Sequence, residues 1–523
     1  MNLLTDPIFR THIEQKTELL SLPALLENYG KMRVRQLIGL QRHQHDAFHV
    51  FMCYLAGAVL ARDNHSDPIQ DEEYWREKLL SLAGKAGMDA WKLVVDDASK
   101  PGFMQAPLVP ADQEPTSVVT TPDKLDILQT AKNHDVKQSR ASSADVDTWI
   151  YSLISLQTMS GFLGRGNQGI SRMNSGFGNR PIVEVLRTHN LGRRWLDAVS
   201  RLVEHRQEVL QKPFGFNPDG MVLVWLSPWD GETQLALDNL DPFYIEICRR
   251  VRVIGERGNL SAMLYSAKNQ RIAAKHLAGV VGDPWLPVDC NKGAKSGLEG
   301  YEGFKALTFP PTGITIEHLR KILLGEYQIH SLQRPLRSWQ GGVWLSVSVL
   351  VRGQGTTDGF HEAQVAIPKK RVPILFGSRQ QRDWLGEISK QGIMAAALMK
   401  NRVLKPAVFS CLQGAPNEIK WDHKYSTSIW ESIDGHYESL WSDDYFPWLF
   451  SVEEDEDPEE ALHRWVSTLL KHALDAVKKV ELQSPGRMGR QYRVKTTIRS
   501  RFWSAYYREF PNMRGDKIEQ SAN

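Results

Sequence analysis

VWLSVSVLV at residues 343–351, followed by RGQGTTDG at 352–359, decides how this chain is read. Val343, Leu345, Val347, Val349 and Val351 fall on every second position, the period of a strand with one apolar face. The glycine-rich segment after them marks a turn. Near Pro373 the pattern changes, and from Ser378 onward it is helical. Trp384, Ile388, Ala395 and Met399 share one face of a first helix. A second is predicted around 425–445. A third follows the acidic run at 453–460 and carries Leu462, Trp465, Leu469 and Leu470 as its stripe. The last spans about 492–509. Four amphipathic segments joined by loops predict an antiparallel four-helix bundle. The expected fold class is α+β, with a large mixed α/β domain over 1–375 and the bundle over 376–523.

Toward the N-terminus, QHDAFHVFMCYLAGAVLAR at 44–62 reads as a buried helix, since Phe48, Phe51, Leu55 and Val59 recur at helical spacing. A second helix covers roughly 72–86, and an irregular Pro-rich stretch runs from Pro101 to Pro122. Asp145 is placed to cap a helix through Trp149, Ile150, Leu153 and Leu156. GFLGRGNQGISRMNSGFGNR at 161–180 reads as a long loop, and VLVWL at 222–226 as a strand.

At 523 residues the chain exceeds what one core usually supports, so more than one domain is expected. Net charge is +3, so any nucleic-acid contact must come from local patches and not from a whole-surface field. The four cysteines, at 53, 248, 290 and 411, form no C-x-x-C pair, which argues against a disulfide framework or a cysteine-rich zinc site. No apolar stretch reaches the roughly 20 residues of a membrane span, and no secretory signal is visible. The cytoplasm is the expected compartment.

GRGNQG at 164–169 matches the G-x-G-x-x-G of dinucleotide-binding folds, where a strand precedes the loop and a helix follows it. Here a helical segment precedes the loop. Asn167, Gln168, Ser171, Arg172 and Asn174, with Arg165, instead suit close approach to a sugar-phosphate backbone or to base edges. His43, His45 and His49 sit among core aromatics without a third ligand pattern, and no metal is assigned. Arg249, Arg250 and Arg252 read as a solvated face. Lys268, Arg271 and Lys275 have the spacing of a basic ridge, and Lys369, Lys370 and Arg371 precede the bundle. TAKNHDVKQSRASS at 130–143 reads either as a surface loop or as a phosphate-contacting arm. SPGRMGRQYRVKTTIRSRFW at 484–503 interleaves basic and aromatic residues, as nucleic-acid binding surfaces and solvated helix faces both do. No Walker A, G-x-S-x-G, kinase or deaminase motif is present, so no catalytic residue and no cofactor are assigned.

MNLLTDP at the start, PGFMQ at 101–105, TAKNHDVK at 130–137, SGFGNRP at 175–181 and GDPWLPV at 282–288 together resemble the CasA family, the large subunit of the type I-E CRISPR Cascade complex. Their order spans most of the chain. The resemblance implies a subunit without catalysis of its own. It would recognise the protospacer-adjacent motif (PAM) in double-stranded DNA from the minor groove and start strand separation with a wedge. It would then help recruit a separate helicase-nuclease. The implied partners are target DNA, guide RNA and other Cascade subunits, with no membrane. By resemblance, the glycine loop falls on Asn167, Gln168, Gly169, Ser171 and Arg172, and the lysine finger on Arg271, with Lys268 and Lys275 as alternatives. The wedge falls on Gly353, Gln354, Gly355, Thr356 and Thr357, and the guide-RNA handle on Asn133, Val136, Lys137 and Arg140. Two other readings stay open: a nucleotide-dependent enzyme using 164–169, and a purely architectural subunit.

Overall fold

The strand at 343–351 forms the centre of a three-stranded antiparallel sheet in the computed structural model, which describes residues 1–110, 114–126, 145–174, 178–290, 300–353, 356–414, 416, 418–483 and 488–513. Val343–Gly353 pairs with Thr356–Ile367 from Val343↔Ile367 out to Gly353↔Thr356, with a register shift at Val351/Arg352. Its other edge pairs with Ile182–Leu186, every residue of which is buried. Val343, Leu345, Val347 and Val349 are buried, as their alternation requires. Pairing reaches further into the glycine-rich segment than the sequence suggests. Ladder hydrogen bonding continues to Gly353 and resumes at Thr356, so the expected loop at 353–359 is largely the end of a hairpin.

The chain divides into two compact units. One comprises Met1–Thr315 with Gly325–Val372, the other Ile316–Leu324 with Pro373–Asn523. In the first unit the helix His45–Arg62 is buried on every side from Ala47 to Leu60, which is why its apolar residues do not confine themselves to one stripe. It packs on Val146–Met159, on Leu191–Leu210 and on the strand Leu240–Ile245. Phe48 meets Tyr151 edge-to-face at 5.2 Å, and Phe51 meets Phe103 at 5.7 Å. The sheet is tied to this helix by polar groups. Ser348 donates to Asp46, and Arg194 bridges Asp46 at 2.7 Å and Glu184 at 3.0 Å.

Two expectations change here. VLVWL at 222–226 is a strand only over Met221–Leu223 and then a 3-10 turn, Val224–Leu226. Arg249, Arg250 and Arg252 are not a solvated face but are buried, each donating to backbone carbonyl groups. Arg250 and Arg252 lie at the start of a strand, Arg250–Glu256, that forms a hairpin with Asn259–Tyr265, and Ser117–Val119 pairs with the other edge of Asn259–Tyr265.

In the second unit, Arg379–Leu398 continues through a π-helical turn, Met399–Leu404, into Lys405–Leu412. The wider turn carries the chain past Pro406, whose ring and missing N–H an unbroken α-helix would not accommodate. Lys424–Ser451, Pro458–Gln483 and Met488–Glu509 follow. Aromatic packing holds the first three together. Trp448 stacks on Trp465 at 4.7 Å, and Trp465 Nε1 donates to the Gly392 carbonyl at 2.9 Å. A Cβ at Gly392 would lie 2.5 Å from the Trp448 ring, so only glycine admits this approach. Met488–Glu509 packs on Lys405–Leu412.

Candidate nucleic-acid interface

Three short loops of the first unit are laced together by backbone hydrogen bonds. The strand Asn259–Tyr265 is followed by Ser266, and the next residues turn back on two glycines. Ala267 N donates to Gly166 O at 2.9 Å, while Lys268 N and Asn269 N both donate to Gly231 O, at 2.8 and 3.0 Å. The Gln168 amide donates to the carbonyls of Ala267 and Lys268, at 3.2 and 2.9 Å, and closes the arrangement from the other side.

Glycine is required at the two crossing points. Gly166 has φ +87° and Gly231 has φ +83°, conformations that side-chain-bearing residues adopt at a cost. A Cβ would meet Ser266 Oγ at 3.1 Å in the first case and Ser266 O at 3.0 Å in the second. The 164–167 turn is closed by Asn167 N to Gly164 O (3.0 Å) and Leu163 N to Asn167 O (3.1 Å). Asp230 receives the backbone N–H groups of Glu232 and Thr233 and the Thr233 hydroxyl, which hold its carboxyl down to about 2.

This lacing brings together two segments that lie a hundred residues apart in sequence. Arg165 and Lys268 are exposed, and Asn167 and Gln168 half-buried, on one cluster of loops. Lys268 is 74% exposed, with Glu232 at 3.4 Å. Lys275 is exposed on the short turn Lys275–Leu277.

Other predicted contacts are withdrawn from the surface. Arg271 is 2% exposed and donates to the carbonyls of Thr233, Ser227 and Pro228, at 3.1–3.2 Å, over the ring of Trp229. Burial pulls its guanidinium down to about 10. It braces the 227–233 loop, and the basic ridge has Lys268 and Lys275, not Arg271, as its exposed members. Ser171 is buried as well. Its N–H and hydroxyl both bond Glu246 at 2.6 Å. Arg172 lies against the Tyr244 ring at 3.7 Å and pairs with Glu246 at 3.3 Å and Asp283 at 3.7 Å. Gly169 is buried too, its Cβ position 3.1 Å from the backbone of Gly161 and Phe162. These three anchor the loop's C-terminal side and present nothing to a ligand there. A buried arginine and an exposed one read alike in sequence.

Of the wedge residues, Gly353 and Thr356 are a paired position of the hairpin and Thr357 stands opposite Arg352, whereas Gln354 and Gly355 lie outside the described residues. Asn133, Val136, Lys137 and Arg140 also lie outside them. His43 bonds Asp126 at 2.6 Å, His49 faces Glu184 at 3.4 Å, and His45 stands exposed at the helix start. No group of three or more metal-ligating side chains occurs among the described residues. Of the 369–371 basic run, Arg371 is buried. In the C-terminal basic stretch Arg499 pairs with Glu481 and Arg501 donates to Pro416 O. The 229–233 loop was missed by sequence reasoning, although its signal, Asp230-Gly231, is an ordinary turn dipeptide. No helix among the described residues is long and apolar enough to cross a membrane.

Residues 2–476 match the family model described as CRISPR-associated protein Cse1. No curated protein sequence matches the chain. Among solved structures the chain is similar to Acidimicrobium ferrooxidans Cse1 (TM-score 0.64, 14% identity, 98% of this chain and 99% of that one). It is also similar to Thermobifida fusca Cse1 (TM-score 0.63, 12% identity, 98% of each chain) and to a Thermus thermophilus CasA (TM-score 0.62, 14% identity, 97% and 99%). At such identities the likeness is one of fold.

Proposed function

Since the chain belongs to the CRISPR-associated Cse1 family, we propose that it is the large subunit of an RNA-guided Cascade complex, reading the PAM of double-stranded DNA with the laced loops of its first unit. The observation that carries this is the junction of Gly166, Gly231 and Lys268. It presents a cation and a compact, side-chain-poor turn from one rigid cluster, which is what entry into a narrow minor groove demands. Lys268 and Arg165 neutralise phosphate, and Asn167 offers an amide to base edges. The hairpin tip at 353–357 serves as the wedge that opens the duplex, and the segment 130–140 takes the guide-RNA handle. The helical unit, read as a four-helix bundle, docks on other subunits, and the complex then recruits a separate helicase-nuclease. The chain itself performs no catalysis.

The dinucleotide alternative loses its structural context. GRGNQG leaves the helix Val146–Met159 instead of a strand, and the next regular element is the strand Ile182–Leu186. The test is an electrophoretic shift of the assembled complex on duplexes with and without the PAM. Lys268→Ala with Asn167→Ala is expected to abolish most of the discrimination between them. Unchanged discrimination would remove these loops from PAM reading.

A further inference from the structure

A cavity of about 830 Å³ opens in the first unit between the second half of the helix Leu191–Leu210 and the segment 328–338. That volume is typical of small-molecule sites. Its floor is preset. Arg201 donates to the carbonyls of Leu332 and Arg334 at 3.0 and 3.1 Å, and Gln333 Oε1 accepts from His330 N at 2.7 Å.

His205 is 2% exposed and lines this cavity. Its Nε2 lies 2.8 Å from the Gly282 carbonyl, which can only accept, so Nε2 carries the proton. Burial lowers its pKa and keeps the ring neutral, which leaves Nδ1 as a bare acceptor. That atom has no hydrogen-bond partner among the described residues, and neither has the Ser331 hydroxyl on the same wall. His330, 5.5 Å from His205, is also neutral, its pKa pushed down to about 3 chiefly by burial, with the cations Arg334 and Lys212 adding to the effect. A buried acceptor without a donor is costly unless a ligand or water supplies one.

The rest of the lining narrows the ligand. Phe214 and Tyr301, with ring centroids 5.6 Å apart, form an aromatic wall suited to a flat heterocycle. Lys212, Arg334 and Arg337 are exposed at the rim and suited to phosphate. Glu204 and Glu208, one helical turn apart on the same rim, would repel a bare anion but accept hydrogen bonds from sugar hydroxyls.

We infer that this cavity binds a ribonucleoside phosphate, with the base against Phe214 and Tyr301 and donating to His205 Nδ1, the ribose on Glu204 and Glu208, and the phosphate on Lys212, Arg334 and Arg337. The nucleotide is either free or the terminal residue of an RNA strand. The site shares no residue with the loops around Lys268 and does not depend on the PAM-reading proposal.

Calorimetric titration of the full chain tests it, using AMP, 2′-deoxy-AMP, inorganic phosphate and a 5′-phosphorylated RNA hexamer. AMP is expected to bind at one site, at least tenfold more tightly than phosphate and several-fold more tightly than its deoxy analogue. A hexamer tighter than AMP identifies the strand end as the source, and an equal or weaker one identifies free nucleotide; both support the site. Arg334→Glu with Arg337→Glu, at exposed positions, should weaken AMP at least tenfold with the circular dichroism spectrum unchanged. His205→Gln, which keeps a donor toward Gly282 and loses the Nδ1 acceptor, should weaken AMP but not phosphate. Lys268→Ala should leave AMP binding unchanged. Absence of AMP binding, equal affinity for phosphate and AMP, or loss of AMP binding in Lys268→Ala would each overturn the inference.

Discussion

The loops around Lys268 and the ion network around Arg172 draw on the same residue types, yet they treat charge in opposite ways. In the network, Asp283 is buried against Arg180 at 2.7 Å and Arg172 at 3.7 Å, and it also accepts from Trp285 N and the Tyr54 hydroxyl. Each charge there is consumed by an internal partner. In the loops the backbone satisfies itself through Gly166 and Gly231, and the lysine side chain is left in solvent with one exposed carboxylate beside it. Charge in a dry site holds the fold. Charge on a self-satisfied loop is available to a partner.

The strongest way to break this contrast is Asp283→Ala. It removes the carboxylate partner of buried Arg180 and leaves Arg172 with Glu246 alone, and is expected to cost about 3–5 kcal/mol in urea denaturation. A loss below about 1 kcal/mol would mean that water reaches the network.

Glu184 tests the same idea through pH. Burial alone would raise its carboxyl, but Arg194 at 3.0 Å, His49 at 3.4 Å and Arg201 at 3.2 Å bring it down to about 2 from an ordinary 4.5. The stability it contributes is full above pH 4.5 and is lost as pH falls toward about 2. Glu184→Gln should lower stability at pH 7 by about 2–3 kcal/mol and flatten that acid limb in thermal melts. An unchanged limb would assign the acid loss to other carboxylates.

Arg271 and Lys268 sharpen the contrast most closely, being three residues apart. Arg271→Ala leaves three carbonyls without their donor and should cost about 2 kcal/mol of stability. The salt dependence of DNA binding by the folded fraction should not change. Lys268→Ala should leave the melting temperature unmoved and reduce the slope of log affinity against log salt by about 1. The opposite pattern, a smaller salt slope for Arg271→Ala and a lower melting temperature for Lys268→Ala, would exchange their roles.

Much of this architecture was legible because it rests on local periodicity. Val343, Leu345, Val347 and Val349 alternate, and the strand is there; Phe48 to Val59 recur at helical spacing, and the buried helix is there. Leu191–Leu210 went unread, although its buried Trp195, Val199 and Leu202 follow helical spacing, because four arginines and a histidine interrupt the apolar pattern. Arg194, Arg201, Arg206 and His205 of that helix are turned inward onto Glu184, Asp241 and the Gly282 carbonyl. The excursion of Ile316–Leu324 into the helical unit was illegible for a different reason, since an eight-residue helix carries no mark of which core it joins.

The sequence by itself determined the apolar strand at 343–351, the turn signal after it and the buried helices at 45–62 and 146–159, because each depends on residues within a few positions of one another. It also carried the ordered motifs by which the chain resembles its family. Only the tertiary structure decided which charges are scaffold and which are surface. Arg271 and Lys268 differ little as letters, but one meets three carbonyls and an indole while the other stands exposed beside a single exposed carboxylate, Glu232. That choice depends on partners tens to hundreds of residues away, such as Gly166 and Gly231 for the Lys268 loop, and the desolvation cost that sorts the two is set only once those partners are in place.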